Sequence, residues 1–241
     1  MKKLKEGLID FLKKLTLLFI GWGLGPLLKA YSWLSKKTGR LKIIGSFPKG
    51  GGLLIVGNHE TFGEPPEVTV ELYLSDTVNF TNPIKYFPWT MQAEDNFLKY
   101  LFFLRAYIAI WVDRRKITSR FIALRKAKRI LDARGNIVLF PGGMRDYHTV
   151  QEVGDSEDNE SLGKLFDGAA WLVIHCPGVR VVPVGTRGYT NFVPNDRLPI
   201  PRPWAKREIR IGKPLEFSPD ASIDEITMEI KKAILEQKNR G

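Results

Sequence analysis

The chain has 241 residues, a single cysteine and a formal net charge of +11. That length is enough to bury one sizeable core, and Cys176 alone excludes an intramolecular disulfide and fits a reducing compartment. The charge calls for an anionic partner, but nucleic acid is disfavoured because no zinc-ligand spacing, RNA-recognition aromatics or helix-turn-helix pattern is present.

The charge is concentrated at the start. Residues 1–50 hold eleven Lys and Arg against Glu6 and Asp10, so +9 of the +11 belongs there. Interleaved with these cations are Leu12, Leu15, Phe19, Trp22, Leu27, Tyr31 and Trp33, among other apolar residues. The uncharged run over residues 15–28 is shorter than the roughly 20 residues of a spanning helix. Gly21, Gly23, Gly25 and Pro26 also interrupt it. A membrane span and a cleaved secretory signal are therefore both disfavoured. The pattern predicts two short helices lying in a membrane interface and broken near residues 21–26. Residues 1–38 then form a membrane-associating unit ahead of an α/β domain over 39–241. An anionic membrane surface is the expected partner, each basic residue near it contributing on the order of 1 kcal/mol.

In chain order, residues 40–44 and 53–56 read as strands joined by the turn Gly50-Gly51-Gly52, which lacks the Gly-Lys-Ser/Thr ending of a phosphate-binding loop. Residues 107–112 form a third strand. Ile117, Phe121, Leu124 and Leu131 recur at helical spacing, and Gly135 stands where a helix end favours a left-handed residue. A strand over 137–140 stops at Pro141. After a glycine-rich and then acidic loop over 142–163, a helix over 165–174 leads to a strand over 179–184. Residues 207–211 alternate as a late, half-exposed strand. Ser222 and Glu225 form a capping box, opening a helix whose Ile223, Ile226, Ile230 and Ile234 share one face. Strands alternating with helices predict an α/β fold: a central, mostly parallel mixed sheet flanked by helices.

Such sheets usually bind ligands at the carboxyl ends of their strands, where His59, Arg114 and Arg145 all fall. The segment Asn58-His59-Glu60-Thr61-Phe62-Gly63-Glu64-Pro65 is the most informative. It sets a histidine and a carboxylate five residues apart, directly after a strand. A regular helix would separate them, so contact requires a bend, which Gly63 would ease. An imidazole so held can act as a general base, with the carboxylate fixing its tautomer and stabilising its cation. No second histidine stands at i+4 to make a metal site with His59, Glu60 and Glu64, and nothing demands a metal or redox cofactor.

Four segments together resemble the glycerolipid acyltransferase family, the group that contains bacterial 1-acylglycerol-3-phosphate acyltransferases. His59 through Glu64 resembles its His-x-x-x-x-Asp motif, and Ile108-Ala109-Ile110-Trp111-Val112-Asp113-Arg114 resembles its second, an apolar strand ending in arginine. Phe140-Pro141-Gly142-Gly143-Met144-Arg145 resembles Phe-Pro-Glu-Gly-Thr-Arg, and Val181-Val182-Pro183-Val184 resembles the proline-bearing fourth. The resemblance implies a glycerol-phosphate acyltransferase-like fold. It also implies that His59 deprotonates a lysolipid hydroxyl, which attacks an acyl thioester, while Glu64 orients the imidazole. Arg114, Gly143 and Arg145 would bind the acceptor, the arginines on its phosphate.

The activity so implied is O-acyl transfer from an acyl-carrier-protein or coenzyme A thioester to a lysophospholipid, foremost 1-acylglycerol-3-phosphate to phosphatidic acid, at the cytoplasmic face of the membrane. Glu64 stands where the family has aspartate, and Gly142 where its third motif has glutamate. The second difference leaves open a different lysolipid or glycolipid acceptor, a carboxylate supplied by Glu152, Glu157 or Glu160, or a catalytically silent lipid binder. His148, His175 and Cys176 read as structural, the acidic residues 152–160 as solvated surface, and Arg187 as a minor anion-site candidate.

Overall fold

The computed structural model describes residues 7, 11, 14, 15, 18–61, 63–76, 82, 87–93, 109–113, 115–142, 167–193 and 201–240. Its seven strands are β1 (Leu41–Ile44), β2 (Leu53–Gly57), β3 (Trp89–Ala93), β4 (Ala109–Val112), β5 (Ile137–Leu139), β6 (Arg180–Arg187) and β7 (Arg207–Ile211). They form one sheet in the order β1-β7-β6-β2-β5-β3-β4. Only the β6–β7 pairing is antiparallel, so the mostly parallel mixed sheet expected from the sequence is present. β1 and β2, consecutive in the chain, are not neighbours, because β7 and β6 lie between them.

The helices are α1 (Gly25–Lys37), α2 (Glu64–Leu74), α3 (Ile117–Asp132), α4 (Gly168–His175), the single turn α5 (Tyr189–Phe192) and α6 (Ile223–Asn239). α3, α4 and α6 cover one face of the sheet, where Ala123, Ala127, Leu131, Ala170, Leu172, Ile226, Ile230 and Ile234 meet Leu54, Val56, Ile110, Ile137 and Val181. On the other face Val68 and Leu72 of α2 and Tyr189 and Phe192 of α5 meet Leu53, Ile55, Val138, Val182 and Ile209. β2 is apolar throughout because both its faces are covered, as parallel central strands require.

Ahead of α1, Phe19–Leu24 forms a π-helical turn that enters the helix through Gly25 in right-handed helical conformation. The glycine-rich interruption thus widens the helix and does not break it. Among the described residues no helix is long and apolar enough to cross a membrane.

Two local expectations change on inspection. The left-handed residue ending α3 is Arg134, at φ 62°, and not Gly135. The Gly135 N–H donates to the Ile130 carbonyl at 2.7 Å and the Arg134 N–H to the Leu131 carbonyl at 2.9 Å, which is a Schellman closure. Gly135 is needed for space, since a Cβ there would lie 2.6 Å from Ile130 Cγ2 and 2.9 Å from the Ile130 carbonyl oxygen. Secondly, Ile117 and Phe121 of the predicted apolar stripe are exposed, while its Leu124 and Leu131 pack on the core as expected, joined there by Ala123 and Ala127. The capping box of α6 forms as read: the Glu225 N–H donates to Ser222 Oγ, and the Ser222 N–H donates to Glu225 Oε2 at 2.8 Å.

Arg134→Gly relieves a left-handed side-chain conformation but adds unfolded-chain entropy, so it should leave stability within about 1 kcal/mol. Gly135→Ala should cost about 1–3 kcal/mol through overpacking. Urea titration of the two variants checks the contrast.

Candidate active site

β2 ends at Gly57, and the loop that follows is locked before the histidine is reached. The Asn58 side chain donates to the Thr186 carbonyl at 3.1 Å and accepts from the Thr186 N–H at 2.7 Å, pinning the loop to the carboxyl end of β6. Gly57 permits close packing, because a Cβ there would sit 3.1 Å from the Phe140 ring. His59 packs on that same ring, with centroids 5.2 Å apart.

Glu64 is the first residue of α2, and Pro65 follows it in the first turn, where a missing N–H costs nothing. Its carboxylate folds back on the loop. Oε1 accepts from the N–H groups of Glu60 and Thr61, both at 2.7 Å, and Oε2 accepts from Thr61 Oγ1 at 3.3 Å. The side chain is fully buried, and Oε2 faces His59 Nδ1 at 3.7 Å. That separation exceeds a hydrogen bond, and Nδ1 is buried with no partner. The imidazole is 17% exposed, which leaves Nε2 as its open nitrogen. Gly63 does not serve as the bend expected from the sequence: its φ is −80°. It is small because Phe192, Tyr189 and Val193 would lie 3.0–3.1 Å from a Cβ.

Behind this loop sits a buried polar cluster that the sequence did not disclose. Arg207 Nε and Nη2 donate to Glu67 Oε2 and Oε1, each at 2.6 Å, a bidentate pair of nearly inaccessible side chains. The Tyr189 hydroxyl also donates to Glu67 Oε2 at 2.6 Å, and Arg207 Nη2 donates to the Tyr31 hydroxyl oxygen at 2.6 Å. Burial, reinforced by the charge of Glu67, holds the Tyr189 hydroxyl well above its ordinary pKa. Burial pulls the Arg207 guanidinium down, but the hydrogen bonds and charge of Glu67 outweigh this and leave it raised. Arg207 shares the buried side of β7 with Ile209 and Ile211, alternating with Glu208 and Arg210, and this period of two is the signal of its position that the chain carries.

At the carboxyl ends of β3, β4 and β5 an apolar cleft of about 440 Å³ opens, walled by Met91, Val112, Phe121, Leu124, Leu139, Phe140 and Trp171. Phe140 belongs both to this wall and to the ring contact with His59. The parallel pairings of β3 with β4 and β5, and of β2 with β5 and β6, bring these strand ends and that of β2 to one edge of the sheet.

Of the five residues singled out from the sequence, His59 and Glu64 are brought together. Arg114, Gly143 and Arg145 lie outside the described residues, as do His148 and the acidic segment 152–160. Among the described residues no group of three or more His, Cys, Asp or Glu could hold a metal ion. Cys176 is buried, and His175 stacks on Trp171, a wall of the cleft, with ring centroids 4.0 Å apart.

Residues 40–187 match the family model of the acyltransferase domain, more than half of the chain, and the protein belongs to that family. The fold is similar to the crystal structure of the 1-acyl-sn-glycerophosphate (LPA) acyltransferase PlsC from Thermotoga maritima, with a TM-score of 0.54, 16% sequence identity and 100% of each chain covered. No curated protein matches the chain.

Arg207→Met leaves Glu67 buried without its cation, and breaking such a pair costs about 3–5 kcal/mol. A fall of that size in unfolding free energy, measured by urea titration, is expected.

Proposed function

We propose that this acyltransferase is a monotopic membrane enzyme that transfers a fatty acyl group from an acyl-carrier-protein or coenzyme A thioester to 1-acylglycerol-3-phosphate, giving phosphatidic acid. The observation that carries the reading is the polarity of His59, with one nitrogen open and the other turned to the buried Glu64 carboxylate. Nε2 takes the proton of the acceptor hydroxyl as its oxygen attacks the thioester carbonyl carbon. The new C–O bond forms, the tetrahedral intermediate collapses with cleavage of the C–S bond, and the imidazolium returns its proton to the departing thiolate. Glu64 stabilises that imidazolium through Nδ1–H. Closing the 3.7 Å gap to hydrogen-bond length needs a movement of about 1 Å, the kind of tightening that accompanies substrate binding.

The apolar cleft suits the acyl chain, because Phe140 links its wall to the base. By resemblance, Arg114 and Arg145 hold the acceptor's phosphate, with Gly143 beside them. Support for residence at an anionic, cytoplasmic membrane face comes from the exposed Phe19, Trp22, Leu27, Trp33 and Leu34. Lys29 and Lys37 stand among them, and Lys37 Nζ lies 4.8 Å from the Trp33 ring centroid. Gly142, in place of the family's glutamate, favours a second reading with the same chemistry, in which another lysolipid or a glycolipid is the acceptor.

In mixed micelles supplied with labelled acyl thioesters on both carriers, His59→Ala should lower phosphatidic acid formation by about 10²–10⁴, the usual worth of a general base. Equal product from both proteins would remove the mechanism. Absence of product with lysophosphatidic acid but turnover of another lysolipid would select the second reading. Replacing Trp22, Leu27 and Trp33 with glutamate should abolish flotation with anionic vesicles, and unchanged flotation would remove the membrane assignment.

A further inference from the structure

α2 carries Glu64, Glu67 and Glu71 at i, i+3 and i+7, which the helical repeat stacks in one stripe about 10 Å long. All three are buried, and each grips a different part of the molecule. Glu64 holds the turn beneath His59. Glu67 holds Arg207 and Tyr189, with the Tyr31 hydroxyl 3.5 Å away. Glu71 Oε2 accepts from Lys36 Nζ at 2.7 Å. Tyr31 and Lys36 both belong to α1, the helix whose outer side exposes Leu27, Trp33 and Leu34.

Tyr189 ties this stripe to the catalytic loop a second time. Its hydroxyl donates to Glu67, its N–H donates to Glu60 Oε2 at 3.1 Å, and its carbonyl oxygen lies 3.5 Å from Thr61 Oγ1. Buried carboxylates hold their geometry only while their partners stay in place, because the alternative is an uncompensated charge away from water. Displacing α1 would take a phenol from the Glu67–Arg207 pair and an ammonium from Glu71. Both losses fall on the helix whose first residue faces His59.

We propose that Tyr31 and Lys36 are positioning residues for the catalytic pair: by seating the membrane-facing helix α1 on Glu67 and Glu71, they set α2 and hold Glu64 against His59. This rests on the reading of His59 as the base and adds that the anchor also tunes the chemistry.

The test uses the full-length protein in mixed micelles, with lysophosphatidic acid and three other lysophospholipids as acceptors. The double variant Tyr31→Phe/Lys36→Met keeps the apolar bulk and removes only the hydroxyl and the charge. With the acceptor the wild type uses fastest, and at a temperature where the variant is fully folded, its kcat should fall roughly tenfold, KM should stay within twofold and vesicle flotation should be retained, while the thermal midpoint falls because Glu71 loses its cation. Lys36→Arg alone should keep the wild-type kcat. A double variant within twofold of wild-type kcat overturns the proposal, as does a parallel loss of kcat and flotation, which would make α1 an anchor only. His59→Ala is run beside them. If it is inactive while the double variant is undiminished, the positioning role alone fails; if it is fully active, the base reading fails and this proposal with it.

Discussion

The bidentate pair of Glu67 and Arg207 is the constraint on which the remaining architecture depends. A carboxylate and a guanidinium removed from water are costly unless their hydrogen-bonding capacity is met, and here the hydroxyls of Tyr189 and Tyr31 help to meet it. Meeting it requires four elements to arrive in register: α1, α2, the turn α5 and the strand β7. Arg207 also lies 4.1 Å over the Phe192 ring, so the guanidinium packs through its face while it bonds through its edge. The N-terminal helix and a late strand, 176 residues apart in sequence, are joined at this point.

The sheet supplies the second requirement, a common edge. β2, β5 and β6 run parallel, so the chain leaves all three at one side, delivering Asn58-His59, Phe140-Pro141 and Thr186-Arg187 together. Asn58 then converts proximity into a fixed distance by bonding both the N–H and the carbonyl of Thr186. The antiparallel β7 breaks the pattern only beyond β6, where it carries Arg207 to the back of the site.

What could be read from the sequence divides along physical lines. Strands covered on both faces, such as β2, announce themselves by uninterrupted apolar residues, and the capping box of α6 is a local pattern with a local cause. The pairing of His59 with Glu64 was also legible, since both lie in one short segment between a strand and a helix. β3 escapes a reading of the sequence although Trp89, Met91 and Ala93 alternate with Thr90 and Gln92, because the alternation lasts only five residues and one of its polar members, Thr90, is itself buried. Ile117 and Phe121 share the helical spacing of Leu124 and Leu131 yet are exposed, because spacing carries no information about what the other side holds. Arg207 was invisible as a buried charge, since its partner Glu67 lies 140 residues away and only the folded register makes the two neighbours. Gly63 and Gly135 were recognised as special but for the wrong reason: both answer to crowding by side chains from elsewhere, not to their own backbone angles.

The double duty of Phe140 restricts how this site can diversify. A ring that forms part of the cleft wall and also packs on the imidazole cannot be resized to admit a longer or bulkier guest without releasing His59 from its seat. Phe121 and Leu124 on α3 and Val112 on β4 carry no such obligation. With the cleft holding the acyl chain as proposed, changes of ligand size should therefore be written into its α3 side, and a redesign that begins there leaves the His59–Phe140 contact as it is.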